Sequence, residues 1–419
     1  MENTLKFLLE VNKLKQTQRT GWVWLGVENP ETIAEHIFRV TVMNWLLAAR
    51  SRPELDAKKI IKRSLAHDLC EVYAGDITPY WDLLPEDEEE RKEALKRWVR
   101  LPRKEKEERA KKKFEMEKES LQQLLQYLEP EIKGDIFSSW MDYERGITPE
   151  GKFAKQGDKV ETLIQAIEYF GAGEDTPVIG WWEETEEVVE DKVFVDLLKS
   201  IQQKFYEGEE GDGLLEFIVR IGKLKRMPRQ GWVLRGVENP ETIGSHIFML
   251  TLMAWIFNSK SAYELNEERL LEMALSHELC EVYAGDRTPY HPVFAEEEQG
   301  EAKKKEVFEK WIRFSREQKK QNFLQDFNQE KDSIQKLASC LSSDLENKVC
   351  LSWKEFKKNQ TREAGFLNQL YVMETLLQAL IYWKQDKSFQ IESWWEWAFE
   401  SSDAKVSIEF MEELKKEFY

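Results

Sequence analysis

The residues with the greatest chemical potential lie in IKRSLAHDLCEVYAGDITPY (61–80) and in its near-copy LEMALSHELCEVYAGDRTPY (271–290). His67, Asp68, Glu71 and Asp76 gather in the first of these. The apolar spacing of LAHDLCEVYA predicts a helix. On a helix, His67 and Glu71 are four residues apart and Asp68 and Glu71 three, so their side chains share a face. An imidazole and two carboxylates on one buried face are costly unless something binds them, and a divalent cation is the natural candidate. Gly75-Asp76 and Thr78-Pro79 then give a turn signal that ends the helix and delivers Asp76 beside the same face.

Histidine usage sharpens this reading. The chain has five histidines, His36, His67, His246, His277 and His291, and four of them form two repeat-equivalent pairs. A lone His on an apolar helix is ordinarily a satisfied core residue. Two of them in the best-repeated segments, one followed by Asp, point to ligands instead. His36, on an apolar helix after Glu35, and His67-Asp68 supply two imidazoles and one carboxylate. The fourth ligand must come from a distant helix, and Asp158 in KQGDKVETL is the candidate. Such a site suits one divalent ion among Mn²⁺, Co²⁺, Fe²⁺, Zn²⁺ and Mg²⁺, and the residue types do not choose between them. The four cysteines (Cys70, Cys280, Cys340, Cys350) have no CxxC spacing; Cys70 and Cys280 read as small buried apolar residues.

An internal repeat sets the organisation that must position these groups. GWVWLGVENPETIAEHIF (21–38) returns as GWVLRGVENPETIGSHIF (231–248), and FAKQGDKVETLIQAIEYF (153–170) returns as FLNQLYVMETLLQALIYW (366–383). Between the copies lies the acidic, Gly-rich stretch YEGEEGDG (206–213), a linker composition. Two domains are expected, 1–208 and 212–419. Helical periodicity covers 3–16, 31–50, 57–73, 86–127, 153–170 and 185–205, without period-2 strands, so the fold class is all-α: two tandem helical bundles. The charge runs of 86–127 read as solvated helix faces. Apolar residues make up 41% of the 419, enough for a core despite 33% charge. A net charge of −18 argues against a nucleic-acid polymer as partner, while leaving room for a small phosphorylated ligand. No apolar run is long enough to span a membrane, and the amino terminus is an amphipathic helix pattern rather than a signal peptide, so a cytoplasmic protein is expected.

The pattern H…HD…D, filled by His36, His67, Asp68 and Asp158, resembles the metal signature of the HD-domain phosphohydrolases. RTGWVWLGVENPETIAEHIFRV, AHDLCEVYAGDITP and KFAKQGDKVETLIQAIEYF are similar to the HD-domain 5′-deoxynucleotidases, and the likeness covers essentially residues 1–205. The resemblance implies an all-helical, homodimeric enzyme that uses a metal ion to hydrolyse deoxyribonucleoside 5′-monophosphates to nucleoside and phosphate. In that scheme Glu71 orients or deprotonates the attacking water. Asp76 hydrogen-bonds substrate or protonates the leaving 5′-oxygen. Arg19 is the candidate cation for the phosphate, since a guanidinium matches its geometry. Trp22 packs near the sugar or base, or else in the core.

The second copy departs from the pattern. His246, His277, Glu281, Asp286, Arg229 and Trp232 persist, but Glu278 replaces the Asp of the HD pair. Aligning on ETLIQA and ETLLQA puts Tyr371 opposite Asp158; keeping the earlier spacing puts Asn368 there. Either way a carboxylate is lost, which weakens divalent binding, so the second copy reads as degenerate and inactive. The homodimer implied by the resemblance suggests that the two halves pair within one chain as a pseudo-dimer. Two other readings stay open: the same site acting on another nucleotide or small phosphate ester, and a nucleotide-sensing scaffold without turnover.

Overall fold

The computed structural model of the protein describes residues 1–78, 83, 85–87, 90–91, 94, 102–173, 176–261, 264–288, 290, 307–308 and 312–419. His291, Pro79 and much of the charged stretch 86–101 lie outside the described residues. Among the described residues every regular element is a helix, apart from two isolated bridges, Gln18 with Thr32 and Pro228 with Thr242. The chain is all-α, as its periodicity predicts. No helix among the described residues is long and apolar enough to cross a membrane.

The contacts divide the chain into two units, Lys6–Lys225 and Met1–Leu5 together with Arg226–Tyr419. The division falls beyond the 206–213 linker, so residues 213–225, which open the second repeat, pack in the first unit.

In the first unit the central element is the helix Ile33–Ser51, whose residues 33–48 are all buried. Its start is written in the sequence as a capping box: Thr32 Oγ1 accepts from the Glu35 N–H, and Glu35 Oε2 accepts from the Thr32 N–H at 2.7 Å. Against it pack Ala57–Ala66, capped by Asp56, and Pro149–Phe170, capped by Thr148 with Pro149 in the first turn. Pro130–Arg145 completes the surround.

Two expected helices are interrupted. The predicted 57–73 helix stops at Ala66 and resumes as Glu71–Ala74. His67 Nδ1 donates to the Ser64 carbonyl at 2.7 Å, taking the acceptor that the Asp68 N–H would use in a continued helix. The backbone therefore tightens, with Leu69 and Glu71 N–H bonding to Ala66 and Asp68 carbonyls. The predicted 185–205 helix is likewise two, Val178–Val188 and Lys192–Gln202, because Asp191 caps the second by accepting from the Val193 N–H.

The second unit is built from the corresponding helices Ile243–Asn258, Glu267–Ser276, Ser343–Lys358 and Arg362–Gln385, with Arg316–Ala338 packed beside them.

One close approach fixes where Asp158 can stand. Gly157, its neighbour, lies so near the Ile33–Ser51 helix that a Cβ there would sit 1.7 Å from Asn44 Oδ1. Asn44 has little freedom to retreat, since its amide donates to Ser64 Oγ and the Ala154 carbonyl. Gly157→Ala should therefore lower stability by about 1–3 kcal/mol, the usual cost of overpacking. Thermal unfolding followed by circular dichroism checks this, and an unchanged midpoint would refute it.

Candidate metal centre

In the first unit four ligand atoms converge from three places in the sequence. His36 Nε2 lies 3.3 Å from His67 Nε2 and 3.0 Å from Asp158 Oδ1. Asp68 Oδ2 is 3.2 Å from His67 Nε2 and 3.8 Å from His36 Nε2, and Asp158 Oδ1 is 4.0 Å from His67 Nε2. Donor atoms bound about 2.1 Å from one ion lie about 3.0–3.4 Å apart at octahedral to tetrahedral angles. The His36–His67, His36–Asp158 and His67–Asp68 separations fall in that range, while the other two are wider; His36, His67 and Asp158 lie close enough together to hold one ion, with Asp68 beside them.

The far side of each imidazole fixes which nitrogen carries the proton. The Ser64 carbonyl can only accept, so His67 holds its proton on Nδ1. His36 Nδ1 lies 2.6 Å from Glu161 Oε2, a fully buried carboxylate. Burial acts to raise Glu161, but Lys225, Arg39 and His36 hold it well below the usual carboxylate range, so it too accepts. Both Nε2 lone pairs then face one point beside two carboxylates. Such a point demands positive charge. The demand shows in His36: burial and Arg19 oppose its charging, yet Glu161 and Asp158 raise its pKa to about 9. Burial likewise acts to raise Asp68, but His67, Arg19 and His36 hold it below its ordinary value.

Around the ligands, Tyr143 donates its hydroxyl to Asp158 Oδ2 at 2.7 Å. Arg39, fully buried, donates to Glu161 Oε1 at 2.6 Å, to Glu168 and to Gln165. Arg19 Nη1 stands 3.5 Å from Asp68 Oδ2, at the edge of the centre. Asp76 Oδ2 accepts from the Thr20 N–H at 2.7 Å and so anchors the turn that carries Arg19. Glu71 is buried, and its Oε2 has no hydrogen-bond partner among the described residues. Burial, with Asp68 and Asp76 adding, pushes its carboxyl well above the ordinary range.

Of the residues singled out in the sequence, His36, His67, Asp68 and Asp158 meet, with Arg19 and Asp76 at the rim. Trp22 does not face the ligands. It is buried among Tyr169, Phe170 and Trp181, and its indole N–H donates to Glu31 Oε1 at 2.9 Å. Glu31, Arg39, Tyr143 and Glu161 were not selected from the sequence. Glu31 and Glu161 stand in repeated blocks, ENPET and ETLIQA, which was the available signal; Tyr143 carries none.

The second unit keeps the frame and changes the centre. Trp232 donates to Glu241 at 3.0 Å, Gln230 N–H to Asp286 at 2.6 Å, and His277 Nδ1 to the Ala274 carbonyl at 2.8 Å, as in the first copy. Tyr371 holds the Asp158 place, ten residues beyond the capping Thr361 just as Asp158 is beyond Thr148. Asn368 instead donates to the Phe356 and Ala364 carbonyls. Where Tyr143 supports Asp158, the equivalent Phe356 has no hydroxyl to give. Arg229 donates to the Tyr371 hydroxyl at 2.7 Å and lies 3.5–3.8 Å from Glu241, Glu278 and Glu374. Its guanidinium already supplies positive charge to those carboxylates. Burial acts to raise Glu278, but Arg229, His246 and His277 lower its pKa to about 2; burial lowers that of His277 to about 3, against the opposing effect of Glu278. Glu281 is buried as Glu71 is.

The HD-domain family profile matches residues 11–201 and again residues 221–414. The chain belongs to the HD-domain family of metal-dependent phosphohydrolases, and carries the domain twice. A 5′-deoxynucleotidase of Xenopus laevis is 32% identical over 168 residues, 40% of this chain and 70% of the relative. One of Dictyostelium discoideum is 33% identical over 174 residues, covering 40% and 78%, and one of Schizosaccharomyces pombe 32% over 186 residues, covering 42% and 78%. Family membership implies a divalent ion; His36, His67 and Asp158 of the first unit lie close enough to share one, as do His246, His277 and Glu278 of the second.

Metal analysis of the purified protein should find about one divalent ion per chain, lost in Asp158→Ala and retained in Glu278→Ala. Two ions per chain, or retention in Asp158→Ala, would contradict the assignment of the site.

Proposed function

We propose that the first repeat hydrolyses phosphomonoesters, with deoxyribonucleoside 5′-monophosphates as the favoured substrates and deoxynucleoside and phosphate as products. The observation that carries this reading is the cluster of His36, His67 and Asp158 with Asp68 beside it, next to a buried carboxylate oxygen, Glu71 Oε2, that has no partner among the described residues, and a guanidinium, Arg19. The deoxynucleotide part is supported by the activity of the relatives.

Held by His36, His67, Asp68 and Asp158, a divalent ion supplies Lewis acidity toward a phosphate oxygen. Arg19 binds the phosphate, its fork of donors matching two oxygens, and Asp76 fixes the turn from which Arg19 projects. Glu71 Oε2 accepts a proton from the attacking water. As the bond between phosphorus and the 5′-oxygen breaks, the protonated Glu71 returns that proton to the leaving oxygen, so the proton count balances. Trp22 and Glu31 act at one remove, holding the base of the Arg19 turn. We read the second repeat as non-hydrolytic, since Tyr371 and Arg229 stand where a ligand and a cation are needed.

The test is phosphate release from a panel of deoxyribo- and ribonucleoside monophosphates, using chelated protein resupplied in turn with Mn²⁺, Co²⁺, Mg²⁺ and Zn²⁺. Glu71→Gln should lower kcat by about 10²–10⁴-fold, the range for losing a proton-transfer group, while keeping its metal. Metal-loaded wild-type protein that releases no phosphate from any monophosphate would reject the reading.

A further inference from the structure

The helix Gly213–Ile221 and the short turn Gly222–Lys225 begin the second repeat, yet they pack in the first unit. Several polar contacts seat them there. Asp212, which caps the helix, pairs with Arg50 at 2.6 Å and its N–H donates to Ser200 Oγ at 2.6 Å. Lys204 pairs with Glu216 at 2.6 Å. Gly222 comes so close that a Cβ there would lie 2.6 Å from Arg39 Nη1.

The segment ends on Lys225, a buried ammonium. Lys225 Nζ donates to Glu161 Oε1 and to Gln165 Oε1, both at 2.7 Å, and pairs with Glu31. Glu161 is the carboxylate that receives His36 Nδ1. By sequence, the KLK of the first repeat (Lys13–Lys15) is the equivalent of Lys223–Lys225, so the repeat pattern would assign the lysine at this position to the first copy. In the first unit it is Lys225, from the second copy, that reaches Glu31 and Glu161.

We propose that Lys225, supplied by the second repeat, is a positioning residue of the first repeat's metal centre. It clamps Glu161 between itself and Arg39, and the clamped carboxylate sets the orientation and proton position of His36. A group that orients a ligating imidazole through its other nitrogen typically contributes 10–100-fold to metal affinity. The second repeat therefore completes the first centre, whatever its own His246 and His277 do. The inference rests on His36 being a metal ligand, and the experiment separates the two.

Full-length protein is stripped with chelator and titrated with Mn²⁺ by calorimetry, with folding followed by circular dichroism. Lys225→Met should weaken Mn²⁺ binding by 10-fold or more, and Lys225→Arg should recover most of that loss. Removing one partner of a buried ion pair strands its carboxylates. If Lys225→Met alone does not fold, the double variant Lys225→Met with Glu31→Gln, which keeps the buried charge balanced, decides; it should show the same weakening. Affinity within twofold of wild type, or tighter, in the folded variant overturns the role of Lys225. Wild-type protein that binds no Mn²⁺ at all would instead fail the metal assignment of His36, and the inference with it.

Discussion

Much of the first unit hangs on one buried carboxylate. Glu161 has no exposure to solvent, and an isolated charge there would be severely penalised. It is held ionised by two cations, Arg39 and Lys225, and by the Nδ1 proton of His36. Each of those partners is tied elsewhere in turn: Arg39 to Glu168 and Gln165, Lys225 to Glu31, and His36 to the ligand cluster. Glu161, Glu168 and Glu31 together face these two cations, and Glu31 in turn commits the Trp22 indole and the turn bearing Arg19. The metal centre is thus the inner face of a charge network whose outer face is the helix packing itself. The same low dielectric that makes the pairing strong makes each omission costly.

That coupling explains why the two repeats differ as they do. The second copy keeps three of these contacts: Trp232 to Glu241, Asp286 to the Gln230 N–H, and His246 to Glu374. Its changes fall at the ligand side of the centre and in the layer behind it, where Met249 stands in the place of Arg39. Asp158 becomes Tyr371, its supporting Tyr143 becomes Phe356, and Asp68 becomes Glu278. A hydroxyl donor whose carboxylate has gone would itself need a partner, so Phe in place of Tyr143 removes a burial cost once Asp158 is absent. Arg229 then turns its guanidinium onto Tyr371. The Trp232, Asp286 and His246 contacts thus persist although a ligand position and part of the layer behind it have changed.

How much of this was legible in the sequence follows the same division. The repeat, the all-α class and the residues bearing the ligand atoms could be read, because each leaves a local mark: apolar spacing, returning sequence blocks, and four of the five histidines standing in those blocks. The helix break at His67 could not. LAHDLCEVYA has an unbroken helical pattern, and the interruption arises from an imidazole taking the Ser64 carbonyl, a side-chain competition that periodicity does not register. Tyr143 and Arg39 were missed for another reason: a buried Tyr or Arg is defined by what lies opposite it, and those partners are over a hundred residues away for Arg39. The position of Lys225 ran directly against the repeat pattern, since sequence similarity tells which segment resembles which and not where it packs.

The placement of residues 213–225 gives a physical reason why a second copy that departs from the first at the ligand positions can be held in the chain. If the second repeat were only a silent tail, changes in its opening helix would be as neutral as changes on any solvated face. Instead that segment carries a capping Asp212 bound to Arg50, a glycine pressed on Arg39 and a lysine buried against Glu31 and Glu161. Each is a constraint imposed by the first unit on the sequence of the second. A copy that carries Tyr371 where the first carries Asp158 can thus stay under tight structural demand through its first dozen residues, because those residues complete its neighbour's core.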